Sequence, residues 1–181
     1  MRFAYADPPY LGLARQFYGD HPEAHVYDTI EGHAALIERL SSSYPDGWAM
    51  SLHSPSLREI LPLCPADVRV MAWVKPFCSF KPGIGVAYAW EPVIVRGGRR
   101  RTRKQPTVRD WVAENITLRR GFTGAKPAGF TFWLLEVLNV QPGDTVDDLF
   151  PGSGAVARAL TARQDAIDGT CDAPLFAFET T

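Results

Sequence analysis

Three cysteines in 181 residues (Cys64, Cys78 and Cys171) are too few and too widely spaced for a disulfide framework. They read as reduced thiols, mostly core fillers, in a cytoplasmic setting. The four histidines, His21, His25, His33 and His53, form no metal-ligand pattern with them, so no metal is expected. No run approaches the ~20 apolar residues that a membrane span needs, so no membrane role is expected. Met1-Arg2-Phe3 leads straight into an apolar strand. A signal peptide is therefore not expected, since its removal would take the motif that follows. There is no internal repeat and no low-complexity stretch. What remains is globular material, 46% hydrophobic and 22% charged. It is long enough for one domain with a full core, residues 1–181.

The net charge of −1 hides a division. Residues 96–126 carry ten basic side chains against two acidic ones, a local charge of +8, which leaves −9 for the rest. The basic ones include Arg99, Arg100, Arg101, Arg103, Lys104, Arg119 and Arg120. A basic segment inside an acidic protein is a candidate polyanion-binding patch, and these residues are the expected nucleic-acid contacts.

Strand and helix signals alternate, which predicts a mostly parallel α/β sheet flanked by helices. Strands are expected at Phe3–Ala6, Trp48–Leu52, Val68–Val74, Val93–Val95, Val146–Leu149 and Leu175–Glu179. Leu36, Ile37 and Leu40 mark a helix over Glu31–Leu40. Ser54 and Pro55 are the expected N-cap and first-turn proline of another. Val108, Trp111, Val112 and Ile116 suggest a short amphipathic helix. A stronger one follows through Phe130, Trp133, Leu134, Val137 and Leu138, and another spans Ala155–Arg163.

Two motifs sit where strands end. Asp7-Pro8-Pro9-Tyr10 follows Phe3-Ala4-Tyr5-Ala6. Its prolines remove two backbone donors and stiffen the chain, so a carboxylate, free carbonyls and an aromatic ring are fixed together. That suits an exocyclic amine, whose lone pair is conjugated into its ring. Hydrogen bonds to a carboxylate and a carbonyl favour a tetrahedral nitrogen and free the lone pair for attack on a methyl group. The plain alternative is a polyproline-like turn. The second motif, Phe150-Pro151-Gly152-Ser153-Gly154, lies between a strand and a helix, with Asp148 at the strand end. Such a turn lets a ligand approach the backbone at the helix N-terminus, although any tight strand-to-helix turn carries glycine.

Lys126-Pro127, the helix after it, Pro142-Gly143-Asp144 and the run Val146 to Gly154 together resemble the linked cofactor motifs of the N6-adenine and N4-cytosine DNA methyltransferases. Asp7 to Tyr10 resembles their catalytic motif. With the catalytic motif first and the cofactor motif last, the order resembles the circularly permuted beta group of that family. The resemblance covers residues 3–12 and 122–160. It implies a Rossmann-like methyltransferase fold and S-adenosylmethionine as cofactor. It also implies methyl transfer to an amino group of a nucleic-acid base, with adenine N6 in DNA preferred because Asp at position 7 is commoner in the adenine enzymes.

The resemblance assigns roles as well. Asp7 and Pro8 would hold the amine, Pro9 would stiffen the motif and Tyr10 would stack on the base. Asp148, Phe150, Gly152, Ser153 and Gly154 would line the cofactor, with Lys126 and Pro127 at its methionine end and Glu179 at its ribose. Ala155 stands where the family usually has threonine, and the short stretch after Glu179 is expected to abbreviate the pocket. Recognition would fall to the basic segment, a second copy of the chain or a separate partner. Cytosine N4, RNA adenosine N6, a protein or small-molecule amine, and a non-catalytic nucleic-acid-binding role remain open alternatives.

Overall fold

The computed structural model describes residues 1–14, 19, 22–77, 83, 85–117 and 125–167. Six strands form one sheet: β1 (Arg2–Ala6), β2 (Gly47–Ser51), β3 (Arg69–Val74), β4 (Trp90–Gly97), β5 (Trp111–Ala113) and β6 (Thr145–Asp148), in the order β5-β3-β4-β2-β1-β6. Five run parallel, and β4 runs antiparallel to both neighbours. The helices are α1 (Pro22–Val26), α2 (Ile30–Ser43), α3 (Leu57–Ile60), α4 (Ala128–Val137) and α5 (Ala155–Ile167). None is long and apolar enough to cross a membrane among the described residues.

Side chains alternate along each strand, so the sheet has two apolar faces. Phe3, Tyr5, Ala49, Val93 and Val95 point to one side, where they meet Phe130, Trp133, Leu134 and Leu138 of the α4 region. Ala4, Ala6, Trp48, Met50 and Ile94 point to the other, where they meet Leu36, Ile37 and Leu40 of α2. The result is a three-layer α/β/α arrangement. The N-terminus of α2 is held by Thr29, whose Oγ1 accepts the Gly32 N–H at 3.0 Å.

Two expected helices differ. The stretch around Trp111 is a strand, not a helix, because Val112 buries between the exposed Trp111 and Ala113 in a period of two. Pairing with β3 satisfies its backbone: the Ala72 N–H donates to Asp110 O, and the Glu114 N–H donates to Val74 O. Ser54 does not cap a long helix either. A 3-10 turn at Ser54–Ser56, the single α turn α3 and a 3-10 turn at Leu61–Leu63 replace it, and His53 takes the cap position. Pro62, which lacks an N–H, cannot extend the α ladder. The strand expected at Leu175–Glu179 lies outside the described residues.

Phe130 is fully buried and packs against Tyr5, Trp73 and Trp133. Replacing it with alanine should lower stability by about 3–5 kcal/mol, read as a fall in the urea midpoint.

Candidate active site

β1 and β6 pair in parallel with Tyr5 opposite Asp148, and the Leu149 N–H donates to Tyr5 O at 2.9 Å. Both strands therefore end at the same sheet edge. Asp7 to Tyr10 leaves one and the glycine turn leaves the other, so the pairing sets the two motifs side by side at the carboxyl edge. Ligands of open α/β sheets bind at such edges.

Around Asp7 the structure assembles a charge cluster. Asp7 Oδ1 ion-pairs with Lys126 Nζ at 2.9 Å and lies 3.1 Å from the Tyr10 oxygen, whose single proton it shares with Glu91 Oε2 at 2.9 Å. Lys126 also donates to the Tyr10 oxygen at 3.0 Å and to Glu91 Oε2 at 3.2 Å. Glu91 in turn ion-pairs with Lys75. Both ammonium groups lie over the Trp73 ring, at 5.3 Å for Lys126 and 4.8 Å for Lys75. The Tyr10 ring lies parallel to His53, with centroids 6.1 Å apart and 8° between planes. Tyr88 flanks His53 at 5.3 Å.

Burial pushes the Asp7 carboxyl up; Lys126 works against this and Glu91 adds to it. Burial also disfavours charge on Glu91, but Lys126 and Lys75 outweigh it and hold that carboxyl below its ordinary value. Burial opposes the Lys126 charge too, yet Asp7 and Glu91 keep the ammonium well above its usual range. The Tyr10 hydroxyl is pushed well up by burial and by the two carboxylates, so it is neutral and able to donate. The cluster is thus two carboxylates balanced by two ammonium groups.

Lys126, expected near the methionine end of a cofactor, is placed against Asp7. Pro127 follows it at the N-cap position of α4. Sequence reasoning missed Glu91, Lys75 and His53. The dipeptide Glu91-Pro92 was a usable signal: a charge and a proline next to the apolar run Val93-Ile94-Val95.

At the other motif, Asp148 is half-buried at the end of β6, and its Oδ1 accepts the Phe150 N–H at 3.2 Å. Burial pushes its carboxyl up. Gly152 and Gly154 have φ of +41° and +71°, a backbone that only glycine adopts without strain. Ser153 lies between them, and α5 starts at Ala155 with its first N–H groups facing the turn. A hollow of about 480 Å3 runs along β6, lined by Arg2, Arg39, Tyr44, Asp147, Asp148 and Val156 among others, and no residue from Phe150 to Gly154 lines it. The Asp148 carboxylate and the free helix N–H groups fit a ligand that carries an ammonium and a carboxylate.

The basic segment divides. β4 carries it to the sheet edge opposite Asp7, roughly 20 Å away at ~3.3 Å per residue, because Gly97 pairs with Gly47 at the start of β2. There Arg99 forms a two-contact ion pair with Asp144 at 2.6 and 2.7 Å, and Arg101 bonds Glu136 and the Pro106 carbonyl. These two arginines are engaged within the fold. Arg100, Arg103 and Lys104 are exposed at that far edge. Residues 99–104 thus lie at the edge away from Asp7. Arg119, Arg120 and Glu179 lie outside the described residues.

No protein-family model and no curated protein matches the chain. Among solved structures it is similar to M1.HpyAVI in complex with SAM: 15% identity over 89% of this chain and 77% of that one, TM-score 0.54. It is also similar to TTHA0409, a candidate DNA modification methylase from Thermus thermophilus: 16% identity over 88% and 75%, TM-score 0.51. At these identities the likeness is one of fold, a mixed six-strand sheet flanked by helices of the Rossmann-like kind.

Burial disfavours the Asp144 charge, but the Met1 amino group, Arg99 and the Gln141 N–H outweigh it and hold the carboxyl at about 2, below the ordinary 3.8. A carboxyl depressed in the folded state stabilises above its unfolded pKa and stops doing so as the pH falls through its folded one. Asp144→Asn should therefore cost on the order of 1–2 kcal/mol at neutral pH. The fall in stability between pH about 4 and about 2 should become shallower, as followed by urea unfolding across that window.

Proposed function

We propose that the protein transfers a methyl group from S-adenosylmethionine to an exocyclic amino group of a nucleic-acid base, with adenine N6 in DNA preferred. The observation that carries this reading is the parallel β1–β6 register, which sets Asp7-Pro8-Pro9-Tyr10 beside Asp148 and the glycine turn. The motif order resembles that of the permuted beta group of DNA methyltransferases. The fold likeness to M1.HpyAVI, solved with SAM, and to TTHA0409 supports the same reading.

When bound, S-adenosylmethionine supplies an electrophilic methyl group on a sulfonium sulfur. Asp148, Phe150, Gly152, Ser153 and Gly154 would hold it. Asp148 is placed for an ammonium, and the first N–H groups of α5 for a carboxylate. Asp7 and the carbonyl of Pro8 accept from the two amine hydrogens of the base. As the nitrogen becomes tetrahedral these bonds strengthen, so they lower the barrier more than they aid ground-state binding. Pro9 keeps the segment rigid, and the Tyr10 ring offers a stacking surface. Glu179 is assigned to the ribose by resemblance alone.

For the nucleic acid, the stretch that joins β5 to Lys126 is taken as the contact on the position of its described flanks. Its described ends, Ala113 and Lys126, are both at the carboxyl edge, and Arg119 and Arg120 belong to it. Arg100, Arg103 and Lys104 are left as an outlying phosphate contact.

Incubation with DNA and isotope-labelled S-adenosylmethionine, followed by nucleoside mass spectrometry, should give labelled N6-methyladenine. Asp7→Ala should lower turnover by roughly 10²–10³ and leave cofactor affinity within severalfold. A wild-type protein that labels no base in DNA or RNA overturns the reading.

Replacing Arg119 and Arg120 with glutamine should weaken DNA binding and make its log–log salt slope less negative by roughly 0.9 for each phosphate no longer neutralised. The same change at Arg100, Arg103 and Lys104 should have the smaller effect. If only the far-edge set alters the slope, the nucleic acid lies across the opposite edge instead.

A further inference from the structure

Glu91 reaches the site because β4 is antiparallel. The parallel strands deliver their last residues to the carboxyl edge, and β4 delivers its first. Glu91 pairs in register with Trp73, near the end of β3, and its side chain is only 14% exposed. Its two oxygens are used differently. Oε1 takes Lys75, and Oε2 takes the Tyr10 hydroxyl at 2.9 Å and Lys126 at 3.2 Å. Asp7 also uses its oxygens unequally. Oδ1 takes Lys126 and lies 3.1 Å from the Tyr10 oxygen, whose one proton goes either to it or to Glu91 Oε2, while no described residue hydrogen-bonds Oδ2.

We propose that Glu91 is the positioning residue of this site: it holds the Lys126 ammonium and the Tyr10 oxygen beside Oδ1 of Asp7, so that Oδ2 alone remains to accept from the substrate's amino group. The proposal rests on the methyl-transfer reading for its substrate, but its geometry belongs to the protein alone. A carboxylate with two equivalent free oxygens presents either one in any orientation its rotamer allows. Tying one oxygen to an ammonium that is itself held by Glu91 restricts the plane of the group and the direction of the other.

The charges run Lys75, Glu91, Lys126, Asp7 with alternating sign. Lys126 is shared between two carboxylates, and Glu91 between two ammonium groups. Without the Glu91 charge, Lys126 would belong wholly to Asp7. The Asp7 carboxylate would then hold protons less well and be a weaker acceptor for the amine. Without Lys75 the opposite follows, because Glu91 would draw more on Lys126. The groups that face Asp7 are Lys126 before α4, Glu91 on β4, Tyr10 on its own loop, Tyr5 on β1 and Asp148 on β6.

The test follows the Asp7 carboxyl by 13C NMR in the full chain, with methyl transfer measured on the same samples. Glu91→Gln keeps the shape and removes the charge. The Asp7 midpoint should move to lower pH, and the acid limb of the kcat profile should move with it. At neutral pH kcat should fall on the order of 10–100-fold, while KM for DNA and affinity for S-adenosylmethionine stay within about twofold of wild type. Glu91→Asp keeps the charge and should return the Asp7 midpoint toward wild type. Lys75→Gln should move it to higher pH, which supplies a second arm if Glu91→Gln does not fold. An unchanged Asp7 midpoint in a folded Glu91→Gln or Lys75→Gln overturns the proposal. A wild-type protein that methylates nothing overturns the methyl-transfer reading instead, and the NMR arms still decide the role of Glu91.

Discussion

The pairing of β1 with β6 is the constraint on which the rest depends. Arg2 to Tyr5 lie against Thr145 to Asp148 in parallel register, so residues at opposite ends of the described chain share one strand boundary. A parallel pair cannot be joined by a tight turn and needs a long crossover. Here nearly the whole described fold is that crossover, and the other four strands and most of the helical cover are laid down between the two. Shifting this register by one residue would turn Phe3 and Tyr5 away from Phe130 and Trp133. It would also separate the two loops that the carboxyl edge brings together. Core packing and site assembly are therefore specified by the same few backbone hydrogen bonds.

The antiparallel β4 has a comparable effect on electrostatics. It lies between β2 and β3, in the interior of the sheet, and it reverses which end of a strand meets the carboxyl edge. A buried ion pair is not by itself a stabilising device, because desolvation offsets most of the attraction. Four charges that alternate along one line lessen this difficulty, since the two inner groups are each neutralised from both sides. Trp73 supports the arrangement from below, with its ring under both ammonium groups and its Nε1 donating to the Glu114 carbonyl at 2.9 Å.

How much of this is legible in the sequence differs by element. β1, β2, β3, β6, α2, α4 and α5 are readable because each carries a clean period or a motif at its end. The strand around Trp111 reads as a helix in sequence because Val108, Val112 and Ile116 match helical spacing. Only the contact with β3 decides for three residues in isolation. The α/β class and the neighbouring strand-end loops follow from local signals. The ion cluster does not, because Glu91, Lys75 and Lys126 are far apart in sequence and meet only through the sheet order. The position of the basic segment is not legible for a related reason. A run of arginines reports charge but not the edge at which it emerges, and Arg99 and Arg101 are committed to Asp144 and Glu136.

The long interval between β1 and β6 also has a kinetic side. During synthesis the first strand emerges early, yet the partner that completes its pairing lies beyond residue 144. Until then Phe3 and Tyr5 lack the α4 residues that cover them, since those begin only at residue 128. Contacts of such high sequence separation form late and make folding slow. A partly made chain can close the β1–β2 and β2–β4 pairs, but it cannot hold Asp7 beside Lys126. The charged centre is thus among the last features to exist on a growing chain, and it arises in the same event that seals the core.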